Sequence, residues 1–348
     1  SKTHKEYDIS EEESSTLLGN EASIKIDSHP IAPLKINSRI SARKGMSTDD
    51  LFTKRALICH TALMKEIDKI QSIQIKDYLT LAFTSNLANC SKLVPPIKSR
   101  SAMAPGAWMT GFHIGENYIE NNVFHYFANR VVKVAKGKED YLKEHTKFES
   151  FKKIGQVTSI QKMTRNSAAY MLLTGDAKNL RIQDEKIDYI FTDPPYGDSV
   201  PYFEQSIIWN TWLGKSADFD NEIVISDSKE RFKKKLEYRE EIDSAIKEIW
   251  RVLKPQGFFT LTFHSVSGET WYSVFSACML AGFEVMDIEI IIQKTFAPRQ
   301  LNRKNSVKGD MAVTFKKSNM LSDEPHLSEK ETQAILLDIA QRLSNKNQ

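Results

Sequence analysis

Residues 187–197 read Ile187-Asp188-Tyr189-Ile190-Phe191-Thr192-Asp193-Pro194-Pro195-Tyr196-Gly197, and every other segment is interpreted from them. The first six are apolar and β-favouring enough to predict a buried strand. An acid, two prolines, an aromatic and a glycine follow directly. Proline locks φ at about −65° and carries no N–H, so the carbonyls here form a fixed row of acceptors. Ligands of open α/β sheets bind at the carboxyl ends of strands, which makes this turn the place to look for a site.

Outward from that strand, the pattern is one of short apolar runs separated by helices. AYMLL (169–173), GFFTLTF (257–263), FEVMDIEIII (283–292) and DMAVTF (310–315) all read as strands. Ile242, Ile246, Ile249 and Leu253 mark the apolar face of a helix over 239–253, which Lys254-Pro255-Gln256-Gly257 stops. Strand, helix and strand in this order predict α/β architecture with parallel strands. The last two strands are joined without a helix and are expected to pair antiparallel. Upstream the periods are helical: 48–70 behind a Ser47/Asp50 capping box, about 76–90, and 121–145. The segment 94–122 reads as irregular. Residues 328–343 carry a further capping box and one apolar face. The expected organisation is a polar lead-in, mobile or extended, over 1–45, a helical region over 46–155, a catalytic region over 156–318, and a C-terminal helix and tail over 319–348.

The turn at 193–196 suits one chemistry closely, the methylation of an exocyclic amino group on a base. Such a nitrogen is conjugated to its ring and is a poor nucleophile. An acceptor in its plane draws on the N–H bonds and turns the lone pair toward a methyl donor. Asp193 and the Pro194 carbonyl are the candidate acceptors, with Pro195 holding the turn. Tyr196 is the candidate face for stacking a base that has left its duplex. The plain alternative is a D-P-P turn with a packing tyrosine.

Asp193-Pro194-Pro195-Tyr196 resembles the DPPY signature of amino-group DNA methyltransferases. The resemblance implies S-adenosylmethionine as cofactor, and the leading Asp implies adenine N6 as acceptor. TGDAKNL (174–180) is similar to the acidic motif after the third strand of that family. It implies that Asp176 and Ala177 border the cofactor adenine, with Thr192 and Asp193 at its other end; the alternative for Asp176 is a simple cap. IWRVLKPQGFFTLTFHS (249–265) resembles the helix, turn and fifth strand of a class I methyltransferase. DSVPYFEQSIIWNTWLG (198–214), with a second Pro-Tyr at Pro201-Tyr202, is similar to large bacterial adenine-specific DNA methylases. Tyr202 is therefore a candidate substrate contact. The implied fold is a Rossmann-like class I sheet, incomplete and represented by strands three to seven, beside a helical N-terminal region.

One absence is as specific as the motif. There are only 14 glycines, and the two closest, Gly111 and Gly115, are four positions apart. Neither GxGxxG nor GxxxxGK[ST] exists in the chain. The resembling family holds its donor over a glycine-rich loop, and the large methylases also carry CxxC pairs; this sequence has neither. Three readings stand: one half of a split enzyme whose partner carries the loop, a fragment lacking an upstream segment, or a non-catalytic DNA-recognition subunit. An RNA guanine-N2 methyltransferase is the alternative enzyme.

Contacts to DNA are expected from the basic loop 294–309, through Arg299, Arg303 and Lys304. His264, at the end of the fifth strand, is a candidate substrate contact, with a structural hydrogen bond as the alternative. ERFKKKLEYREE (230–241) reads as a plain surface helix, and Trp209 and Trp212 as core. Composition bounds the rest. Forty-eight Lys and Arg against 45 Asp and Glu leave +3, which excludes a wholly basic nucleic-acid coat. No run approaches the length of about 18 apolar residues that spans a bilayer. The three scattered cysteines suggest neither disulfides nor a metal site. A cytoplasmic protein without membrane or metal is expected.

Overall fold

The computed structural model describes residues 29–97, 104–109, 111–147, 154–163, 169–265, 268–292, 309–318 and 334. The basic loop with Arg299, Arg303 and Lys304 lies outside the described residues, as does the tail helix expected over 328–343 apart from Ala334. The chain forms two units, Ser1–Leu172 with Tyr202–Ala217 and Leu173–Pro201 with Asp218–Gln348. By this division the segment Tyr202–Ala217, after the DPPY turn, groups with the first unit.

The first unit is helical. Ser47 N–H donates to Asp50 Oδ2 at 2.8 Å and starts a 3-10 turn, Thr48–Leu51. The continuous helix expected from 48 is broken there, because Phe52 turns extended and sinks into the core at 3% exposure. Thr53 then caps α1 (Lys54–Asp68), its hydroxyl accepting from Ala56 N–H at 3.1 Å. Ser72 caps α2 (Ile73–Leu87). These helices, α3 (Val123–Lys147) and α4 (Tyr202–Asn210) enclose a core that includes Phe52, Phe83, Leu87, Ile208 and Trp212. Trp212 is buried and Trp209 packs on the same cluster, as the sequence predicts. Residues 29–45 correct the lead-in reading. Leu34, Ile40 and Ala42 are buried, and Leu34 N–H donates to the Met46 carbonyl at 2.9 Å. They bury as irregular chain, so no period betrays them.

AYMLL is also corrected. Only β2 (Ala169–Tyr170) is strand, paired in parallel with β1 (Gly155–Gln156) in a sheet of its own. Leu172 and Leu173 stay exposed, so the expected third strand of the main sheet is not formed by these residues.

The second unit holds the main sheet: β3 (Ile187–Thr192), β4 (Leu253–Phe263), β5 (Phe283–Ile292) and β6 (Gly309–Lys317), in the order β3-β4-β6-β5. β3 and β4 are parallel and β5 and β6 antiparallel, as the connections predict, and β6 also pairs antiparallel with β4. The Lys254–Gly257 turn survives as a register shift in β4, with Gln256 at φ 62°. α5 (Lys235–Val252) and α6 (Gly268–Leu280) cover one face. Ile242, Ile246, Phe275 and Cys278 pack there against Phe259, Leu261, Phe263, Val313 and Phe315. The other face is bare on its β3–β4 side: Tyr189, Phe191 and Phe258 are 54%, 61% and 41% exposed. Among the described residues no strand pairs with the outer edge of β3. The 230–234 segment also differs from the surface reading. Arg231 is buried, ion-paired with Glu222, with its guanidinium over the Phe219 ring at 3.9 Å. No helix among the described residues is long and apolar enough to cross a membrane.

Candidate active site

β3 runs along β4 until Thr192 pairs with Leu261, and Thr262 Oγ1 donates to the Thr192 carbonyl at 3.4 Å. Beyond that point the prolines have no N–H to give, and the chain leaves the sheet. Asp193 is exposed, while Pro194, Pro195 and Tyr196 are half-buried. The Tyr196 hydroxyl donates to Asp193 Oδ1 at 2.6 Å, a length typical of a bond to an ionised acceptor. The motif thus closes on itself and its carboxylate has a set orientation. A carboxylate has about four acceptor positions, so one bond from Tyr196 leaves capacity for a substrate. The Tyr196 ring meets Phe263 edge-to-face, with centroids 5.3 Å apart, and lies 6.0 Å from the His264 ring.

Three anchors fix the backbone of the turn. The Tyr238 hydroxyl, on α5, donates to the Pro195 carbonyl at 2.6 Å. Ser199 N–H donates to the Tyr196 carbonyl at 3.3 Å, and Ile225 N–H to the Gly197 carbonyl at 3.2 Å. Gly197 has φ 66°, and a Cβ there would stand 3.2 Å from Ile225 Cδ1 and 3.4 Å from Thr270. A side chain at this position would be strained as well as crowded.

His264 is oriented by a residue that sequence reasoning missed. Its Nδ1 lies 3.1 Å from Asp310 Oδ1, since β4 and β6 pair Phe263 with Met311 and bring the next residues side by side. Trp271 Nε1 donates to the Ser265 carbonyl at 2.9 Å and secures the strand end. Contacts thus run from Asp193 to Tyr196, from Tyr196 to Phe263 and His264, and from His264 to Asp310. Tyr238 and Asp310 carry no local signal, because their roles arise only from pairing across dozens of residues.

The remaining expected site residues are placed differently. Asp176 Oδ1 accepts from Lys178 N–H at 2.9 Å and its carbonyl from Asn179 N–H at 3.1 Å, which makes it the turn cap of the alternative reading. Asp176 and Ala177 are exposed, and among the described residues no main-sheet strand precedes them. Tyr202 is exposed at the start of α4 and falls in the first unit, whereas Asp193–Tyr196 fall in the second. Among the described residues no group of His, Cys, Asp and Glu is arranged to hold a metal ion.

Chemically, the turn offers two acceptors of different kind, a carboxylate and a proline carbonyl, beside an aromatic ring. That set receives N–H donors of a planar group. No family model matches this chain, and no curated protein matches it. Solved structures give slight likenesses. A protein of Thermus thermophilus described as a candidate DNA modification methylase is 13% identical with a TM-score of 0.27, covering 46% of this chain and 58% of that one. The [4+2]-cyclase SpnF is 19% identical with a TM-score of 0.25, covering 43% and 56%. A SAM-dependent methyltransferase of Methanosarcina mazei is 12% identical with a TM-score of 0.24, covering 46% and 73%. The chain spans little more than half the length of the first two.

Proposed function

We propose that this chain carries the acceptor half of an S-adenosylmethionine-dependent DNA methyltransferase of the class I type, acting on adenine N6. The observation that carries this reading is the closed turn at the carboxyl end of β3, in which Tyr196 orients the Asp193 carboxylate beside the Pro194 carbonyl. A flipped adenine placed against Tyr196 donates its amino hydrogens to these two acceptors. The nitrogen lone pair is then turned out of conjugation, and catalysis is positioning and electrostatics without a covalent enzyme intermediate.

S-Adenosylmethionine, when bound, supplies the methyl group. Thr192 and Asp193 would border its reacting end in this reading, and the described residues do not make a cradle for the rest of it. Asp176 Oδ1 caps its own turn, and the sequence contains no glycine-rich loop. Either a partner chain or a segment upstream of this sequence supplies that loop in this reading. The bare face and open edge of β3 support it, because parallel strands are normally covered on both faces. Modification of DNA within a restriction-modification system, with the basic loop on phosphates, is the biological setting proposed.

The test is transfer of labelled methyl from S-adenosylmethionine to adenine-containing duplexes, with cytosine-only duplexes and transfer RNA as competitors, using the chain together with the protein that copurifies. Asp193→Ala is expected to lower transfer by at least about a hundredfold with the fold intact, and Tyr196→Phe about tenfold, since the lost hydroxyl frees the carboxylate. Wild-type rates in Asp193→Ala would remove the mechanism. Methyl on guanine of RNA would transfer the reading to a guanine-N2 enzyme. Duplex binding without transfer to any base would leave a recognition subunit.

A further inference from the structure

We propose that Tyr238 is a positioning residue of this site, fixing the acceptor carbonyls of the proline turn from within α5. The inference rests on the reading of Asp193–Tyr196 as the amino-group acceptor. Pro194 and Pro195 have no N–H, so neither residue can anchor the turn by donating from its own nitrogen, and each offers only its carbonyl. Tyr238 takes one of them, donating to the Pro195 carbonyl at 2.6 Å from a side chain that is 1% exposed. Among the described residues no donor meets the Pro194 carbonyl. The Pro195 carbonyl is therefore committed to the core, which leaves the Pro194 carbonyl as the acceptor available to a substrate in this reading.

The same anchor steadies Tyr196. Its ring is carried by the peptide that Tyr238 holds, and its hydroxyl orients Asp193. Downstream, the Tyr196 and Gly197 carbonyls are held by Ser199 and Ile225 N–H groups at 3.3 and 3.2 Å. Ile225 lies in the segment leading into α5, so α5 and its approach grip the turn at both ends. Tyr238 is locked in turn by the core it shares with Ile242, Phe259 and Phe263. A hydroxyl so placed cannot follow the turn if it moves, which is what preorganised geometry demands of its supports.

The experiment uses Tyr238→Phe in the full chain, with Ile242→Val as a control that trims the same core without touching Pro195. Hydrogen exchange of the Ile225 and Ser199 amides reports the turn directly and needs no activity. Tyr238→Phe is expected to speed both at least about tenfold while the β3 and β4 amides keep their rates. In the complex with its copurifying protein, kcat for methyl transfer is expected to fall about tenfold with KM for the duplex unchanged, and Ile242→Val to leave kcat as it was. Unchanged exchange, or an equal kcat loss in Ile242→Val, would overturn the positioning role. Faster exchange in Tyr238→Phe, with no methyl transfer by the wild-type complex, would uphold the anchor and overturn the methyltransferase reading instead.

Discussion

His60 is fully buried among Phe52, Phe83 and Trp212, whose rings stand edge-on to it with centroids 5.5, 5.6 and 5.9 Å away. Neither ring nitrogen has a partner in good hydrogen-bond geometry, and burial holds its pKa down at about 3. An unfolded histidine titrates near 6.5, so between those values the unfolded chain binds the extra proton and stability rises with pH. This contribution is complete above about pH 6.5 and is lost as pH falls toward 3, at up to ~1.4 kcal/mol per unit. His60→Leu is expected to flatten that slope and to raise stability at about pH 5, read by urea titration of tryptophan fluorescence; an unchanged slope would mean that other groups set it. The same scale shows where sequence reasoning was partial. Asp193 and Tyr196 are recognisable as a pair of types, but a stacking face predicts that Tyr196→Phe is harmless. The hydroxyl bond to Asp193 reverses that expectation, and the bond exists only because the prolines fold the chain back on itself.

Among the elements, strands with strong local character were legible. β3, β5 and β6 lie where their β-branched and aromatic runs place them, and the helix of α5 follows its apolar period. AYMLL failed because an apolar run becomes a strand only when a neighbour pairs with it, and here only two of its residues find one. The approach to α5 failed for a different reason. A basic run reads as surface, yet Arg231 is buried against Phe219 and Glu222, and Lys233 donates to Glu241 at 2.7 Å. Removing one partner from such a pair leaves an uncompensated buried charge. Glu222→Ala is expected to cost ~3–5 kcal/mol in denaturant unfolding, whereas the double substitution Glu222→Leu, Arg231→Met costs clearly less. Equal losses would show that the aliphatic stems, not the charges, hold the segment. Because Ile225 belongs to it, the single substitution should also loosen the Gly197 carbonyl.

On the scale of the whole molecule, the exposed aromatics of the main sheet have a consequence for behaviour in solution. Tyr189, Phe191 and Phe258 neighbour one another across the parallel pair, beside the edge of β3, with which no strand pairs among the described residues. The isolated chain is expected to self-associate at micromolar concentration in sedimentation velocity. Tyr189→Thr with Phe191→Lys should reduce association without lowering the melting temperature; association that persists would place the sticky surface elsewhere. By itself the sequence determined the strand that ends at Thr192, the donor-poor proline turn that follows it and the lack of a glycine-rich loop, since each is a property of adjacent residues. Tertiary structure alone decided that Tyr238 holds Pro195, that Asp310 orients His264, that Arg231 is interior and that Asp176 caps a turn. Those relations join residues far apart in the chain, or depend on whether a strand finds a partner, and no local period encodes either.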